Sequence, residues 1–192
     1  MVAALLTLAS RSPQRRAILE QLGIDFRVEV PEVHEVADGD PRKLVVENAR
    51  RKVRAVAADP ALGADTAVVL EGRVFGKPGS REEAAEFLGA LSGRPHEVHG
   101  GACLKAGGGE RTAHAVTLVR FRELTPEIVD WYLASGEWRD RAGAYAIQGR
   151  GAALVEGIDG DYLNVVGLPV AALISSGFVP FATHETCQAQ RW

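Results

Sequence analysis

Apolar positions along the chain fall into alternating runs of strand and helix spacing. Val2 to Leu8 is apolar apart from Thr7 and reads as a first buried strand, and Ile18, Leu19 and Leu22 then form a helical stripe ending at Gly23. Ile24, Phe26, Val28 and Val30 alternate with polar residues, which predicts a strand with one buried face. Val45, Ala49 and Val56 return to helical spacing, and Lys52 shares their face within an arc of about 60°. Asp65 opens the next apolar run, Ala67 to Leu70, and Glu71-Gly72 turns it back through Arg73 to Phe75.

A further helix carries Ala84, Phe87, Leu88 and Leu91. Val98 to Leu104 and Thr112 to Phe121 read as long strands joined through Gly107-Gly108-Gly109. Ile128, Trp131 and Tyr132 mark another helix, stopped by Gly136. Ala152 to Ile158 and Tyr162 to Val166 predict a last pair of strands, and Pro169 to Ser176 a final helix. This order is not the repeating strand–helix order of a doubly wound fold, so the expected class is α/β (α+β), with a mixed sheet flanked by helices.

Local signals support these boundaries. Ser12-Pro13, Asp40-Pro41 and Thr125-Pro126 each place a capping side chain before a proline suited to a first helical turn. Ser80 and Glu83 have capping-box spacing. The segment from Asp140 to Arg150 is too rich in Gly and Ala for a stable helix, and close backbone approach to a ligand or another segment explains its small residues.

Composition narrows the function. A chain of 192 residues with 46% hydrophobic content is long enough for one substantial core or for two lobes sharing one sheet, and a single domain over residues 1–183 is expected, leaving 184–192 as a tail without periodicity. A net charge of −3 lacks the basic excess of a nucleic-acid polymer or membrane-surface binder, while a small anion held by a few local cations remains open. Cys103 and Cys187 have no pairing or zinc spacing, which implies a reduced, cytoplasmic chain. The opening MVAALLTLAS lacks the basic lead of a signal peptide, and glycines and prolines interrupt Val165 to Ala182, so neither reads as a membrane segment. Nothing here decides between a monomer and a homodimer.

Candidate chemistry gathers at four places. Ser10, Arg11, Ser12 and Arg15 surround the start of a helix that follows a strand, which makes an anion cradle or, more plainly, a solvated basic turn. The loop holding Glu32, His34, Glu35, Asp38 and Asp40 could give a carboxylate to a hard cation such as Mg²⁺. Lys52 either snorkels from its apolar face or meets an anionic partner there. Asp65 and Lys77 bracket the hairpin and come towards one end of it, where Asp65 either caps a backbone N–H or does chemistry.

Taken together, LASRSPQRR, Glu35, the ARRK ending at Lys52, GADTAVVLEGRVFGKP, LSGRPHEV, AGAYAIQG and NVVGLP closely resemble the Maf proteins, which are nucleoside triphosphate pyrophosphatases. The resemblance implies an inosine triphosphate pyrophosphatase-like fold, a long mixed sheet in two lobes with a central cleft. It implies hydrolysis of a nucleoside triphosphate to the monophosphate and pyrophosphate with a divalent metal, Mg²⁺ or Mn²⁺. Carried over by motif, Asp65 is the catalytic carboxylate and Glu35 its partner at the metal, while Ser10, Arg15, Lys52 and Lys77 hold phosphates. Thr66 and Gln148 fall at the base-recognition end, and the wording ADT and AIQG is similar to the branch acting on dTTP and UTP. Four positions depart from the family pattern: Gln14 for Arg, His34 for Asp, Arg141 for Lys and Ala146 for Gly. A nucleotide-binding regulator of cell division with little turnover is the alternative, but it has no use for two carboxylates that would repel a bare polyphosphate.

Overall fold

Strand β3, Ala61–Leu70, is the axis of the molecule and is buried along nearly its whole length. The structure is a computed structural model that describes residues 5–178. Residues 2–4 of the expected first strand and the tail from His184 therefore lie outside the described residues. In chain order the other elements are β1 (Leu6–Leu8), α1 (Pro13–Gln21), β2 (Phe26–Val28), α2 (Pro41–Arg54), β4 (Arg73–Phe75), α3 (Arg81–Leu91), β5 (Pro95–Ala106) and β6 (Gly109–Phe121). They continue with α4 (Pro126–Leu133), two 3-10 turns (Ala142–Ala144 and Gly149–Leu154), β7 (Val155–Asp159), α5 (Tyr162–Val166) and α6 (Val170–Ser175).

The strands form one mixed sheet in the order β2-β1-β3-β5-β6-β7, with β4 added beside β3. One edge of β3 is paired with β5 from Ala61 to Val69. The other edge is shared by two strands that never meet: β1 pairs with Ala61 and Leu62, and β4 with Val68, Val69 and Leu70. The sheet thus forks over residues 63–67, and the fork is the floor of a cleft.

Helix α2 lies across one face of β3 and β5, started by Asp40, whose side chain accepts from the Lys43 N–H at 2.9 Å. Two glycines bring it unusually close. A Cβ on Gly63 would meet the Ala49 carbonyl oxygen at 2.6 Å, and one on Gly101, paired with Asp65, would meet that of Val45 at 2.5 Å. On the opposite face, Leu62, Ala64, Ala102 and Ala113 pack with Ile18 and Leu19 of α1 and Leu173 of α6. A second core of Phe75, Leu88, Val119, Phe121 and Tyr132 underlies α3 and α4.

Four expectations change, one of them being that the strand expected from Ala152 starts only at Val155, because Gly149–Leu154 forms a 3-10 turn. The strand carrying Asp65 begins four residues earlier, at Ala61, because β1 and β5 both pair with its first half. Asp65 is therefore mid-strand at the fork and not at a strand mouth. Ile24 to Val30 yields only a three-residue edge strand with Val28 and Val30 exposed, since no layer among the described residues covers that corner. Tyr162–Val166 is a helix, not a strand: Asp161 caps it through the Leu163 N–H at 2.8 Å, and buried Asn164 donates to the Val98 carbonyl and the Thr117 hydroxyl, both at 3.0 Å. A short apolar run cannot distinguish the two conformations by period alone. Close approach in the 140s is real, because the Gly143 N–H donates to the Gly76 carbonyl at 3.0 Å and a Cβ there would meet Val68.

Candidate active site

The cleft at the fork has a volume of about 490 Å³. Ser10, Arg11, Ser12, Arg15, Glu35, Lys52, Asp65, Thr66 and Lys77 all line it. Gln148 does not; it is exposed at the start of the second 3-10 turn, so the structure leaves it apart from the other expected residues.

Lys52 sits at the centre. It is 6% exposed and reaches from α2 over the glycine-lined contact, donating to Asp65 Oδ1 at 2.8 Å, Glu35 Oε1 at 2.7 Å and the Ala64 carbonyl at 3.1 Å. An ammonium has three N–H donors, so each is matched by one oxygen. That resolves the choice left by periodicity: Lys52 points inward to two carboxylates.

Asp65 uses its second oxygen as well, accepting from Asn48 Nδ2 at 2.9 Å. Asn48 lies one turn before Lys52 on α2 and is buried, and it also accepts from the Val36 N–H at 2.7 Å and donates to the Val36 carbonyl at 3.0 Å. It pins the loop carrying Glu35 against the helix. The motif reading missed Asn48, although an Asn beside Lys52 on a largely buried helix face is a signal, because Asn is poorly suited to helix interiors unless its amide is used. Burial pushes the Glu35 carboxyl up, but Lys52 foremost, then Lys77 and Arg15, hold it below the usual carboxylate range.

The other side of the cleft is cationic. Ser12 caps α1 as expected, accepting from the Arg15 N–H at 3.4 Å. The Arg15 guanidinium is buried and donates to the Gly167 carbonyl at 2.8 Å and to the hydroxyls of Ser10 and Thr66, both at 3.2 Å. All three acceptors are neutral. Burial lowers its pKa, partly offset by Asp65 and Glu35, and Arg141 lowers it further. Ser10 and Thr66 thus hold Arg15 in the first instance. Lys77 is exposed at the rim and Arg16 faces away from the cleft lining.

His96 lies beneath this wall, 1% exposed, with Nε2 at 2.9 Å from the hydroxyl of Tyr145 and its ring edge-on to Phe121. Burial lowers its pKa to about 4, so the ring is neutral near pH 7. Tyr145 lines the cleft while His96 does not, which makes His96 a support of the wall.

Comparison with known proteins gives the family of the chain. The chain is 52% identical over 171 residues to a dTTP/UTP pyrophosphatase of Symbiobacterium thermophilum, covering 86% of this chain and 88% of the relative. It is 49% identical over 173 residues to a dTTP/UTP pyrophosphatase of Anaeromyxobacter sp. strain Fw109-5, covering 86% and 84%. A dTTP/UTP pyrophosphatase of Thermococcus onnurineus is 48% identical over 170 residues, covering 86% and 92%. The family model described as Maf-like protein matches residues 5–176, a span that contains the fork, the carboxylate pair and both faces of the cleft, and this chain belongs to the Maf family.

Proposed function

We propose that the protein hydrolyses nucleoside triphosphates, dTTP and UTP foremost, to the monophosphate and pyrophosphate. One observation carries the reading: a buried Lys52 held between Asp65 and Glu35 faces guanidinium groups whose partners are all neutral. A polyphosphate supplies the negative charge that the guanidinium side lacks. The names of the relatives supply the choice of base, and Gln14 in place of the branch's usual Arg makes base preference the part to measure first.

The donor set suits a hard divalent cation. Asp65 and Glu35 each give only one oxygen to Lys52, so each retains lone pairs directed elsewhere. No group of three metal-ligating side chains gathers among the described residues. Mg²⁺ commonly takes one or two carboxylates and completes its shell with phosphate oxygens and water, which is the composition available here. Asp65 and Glu35 would hold it, and when bound it would neutralise phosphate charge and polarise a non-bridging oxygen.

The residues themselves divide the remaining work. Arg15 and Lys77 draw the triphosphate into the cleft and offset the charge that would repel an incoming oxygen. An unused lone pair of Asp65 orients the attacking water and takes its proton as the new bond to the α-phosphorus forms. The bond from that phosphorus to the bridging oxygen breaks, and pyrophosphate leaves with its electron pair. Lys52 favours the ionised form of Glu35 and holds both carboxylates in place without touching the reacting bond.

The test is a screen of common triphosphates with Mg²⁺ or Mn²⁺, measuring phosphate and pyrophosphate separately. Pyrophosphate release from dTTP and UTP is expected, and Asp65→Asn should lower kcat by about 10² to 10⁴ with unchanged circular dichroism. Release of single phosphates, or full turnover in Asp65→Asn, would overturn the assignment.

A further inference from the structure

Gln14 and Arg141 touch each other although they are 127 residues apart in the chain. Gln14 stands on the first turn of α1, and its side-chain oxygen accepts from both the Ser12 hydroxyl and Arg141 Nη1. Arg141 lines the cleft just before the first 3-10 turn, so the contact spans the mouth between α1 and the 140s segment.

The manner of holding is the informative part. Among the described residues, Arg51, Arg54, Arg81 and Arg94 each pair with a carboxylate, whereas Arg141 appears in no such pair. Its Nε is buried without a partner. Gln14 therefore fixes the direction of the guanidinium without cancelling its charge. Arg15, on the same side, is likewise bound only to neutral oxygens, and the two like charges oppose each other. An unpaired buried donor beside a like charge is costly unless an anion completes the site.

We propose that Arg141 is a further phosphate-binding residue of the cleft, and that Gln14 is the positioning residue that aims it at the polyphosphate chain. The identity of the ligand rests on the function proposed above; the anion chemistry of the pair does not. Arg141 adds a second guanidinium fork to that of Arg15, so the site prefers a chain of several phosphates to a single one.

Inorganic tripolyphosphate titrated calorimetrically into the full-length protein tests binding without turnover. Arg141→Gln should weaken it about tenfold or more, and Arg141→Lys should restore part of the loss. Gln14→Glu keeps the shape of the acceptor but neutralises Arg141, and should weaken tripolyphosphate several-fold. With UTP, both neutralising variants should raise KM by similar factors while kcat changes far less. Equal tripolyphosphate affinity in wild type and Arg141→Gln would overturn the role of Arg141, and an unaltered Gln14→Glu would overturn that of Gln14. Should the wild type fail to cleave UTP while tripolyphosphate binding still depends on Arg141, the proposed reaction falls and this site stands.

Discussion

The two sides of the cleft bury charge by opposite means. On the α2 side, Lys52 meets Asp65 and Glu35 within ordinary ion-pair distance, and Asn48 donates to the other Asp65 oxygen, so every charge of the cluster has an opposite charge beside it while lone pairs of both carboxylates stay available. On the α1 side, Arg15 and Arg141 are aimed by hydroxyl, amide and carbonyl oxygens alone. The first arrangement is paired in charge before a ligand arrives, while the second gains its counter-charge from one. Stability and affinity are thus separable: mutations on the α2 side should be felt in the fold as well as in turnover, and mutations on the α1 side chiefly in binding.

Breaking the paired cluster gives the largest expected effect. Lys52→Met leaves Asp65 and Glu35 buried or half-buried against each other, and should cost about 3–5 kcal/mol in denaturant unfolding together with most of the turnover. Stability unchanged in that variant would show that the cluster is not what holds α2 to β3.

The footing of the cationic side should respond to acid. His96 titrates near 4 in the folded protein and near 6.5 when unfolded, because burial disfavours its charged form. Between those values the unfolded chain binds more protons, so stability rises with pH there and is lost on acidification, by about 3 kcal/mol at most. Urea midpoints from pH 7 to pH 4.5 measure this, and His96→Phe should flatten the component in that window. Glu35 acts in the same sense at lower pH: its depressed pKa adds stability that is present above the usual carboxylate range and disappears as pH falls through the folded value.

A smaller perturbation sharpens the comparison by moving one side relative to the other. Gly101→Ala sets a methyl against the Val45 backbone, and should destabilise by about 1–3 kcal/mol as α2 shifts away from the sheet. Because Lys52 and Asn48 travel with α2, kcat should fall while affinity for tripolyphosphate, held by the other side, is nearly kept. Loss of both together would mean that the two sides are not independent.

How much of this was legible in the sequence depended on range. Local devices were readable: Ser12, Asp40 and Thr125 cap their helices, and Ser80 accepts from the Glu83 N–H, although the Glu83 carboxylate reaches the Gly79 N–H instead of closing the expected box. Apart from Lys52, which helical spacing set on the apolar face of α2, the motif residues scattered from Ser10 to Lys77 could be grouped only through the resemblance. The fork was not legible, since it arises from β1 and β4 sharing one edge of β3, a pairing that no local pattern encodes. Tyr162–Val166 was misread because its helix is selected by Asp161 and by what Asn164 meets across the sheet. Gln148 carried a role from its motif, yet the turn that begins beside it faces the side chain outward.

The forked sheet has a mechanical corollary. The strands on either side of the fork, β1 and β4, are rooted in the same strand, and β3 is stitched to β5 along nearly its full length, so the floor of the groove is one continuous ladder. Any spreading of the floor is therefore an elastic change in the coiling of β3 against β5, shared over many ladder bonds, which leaves the walls above it as the parts that can adjust to a substrate.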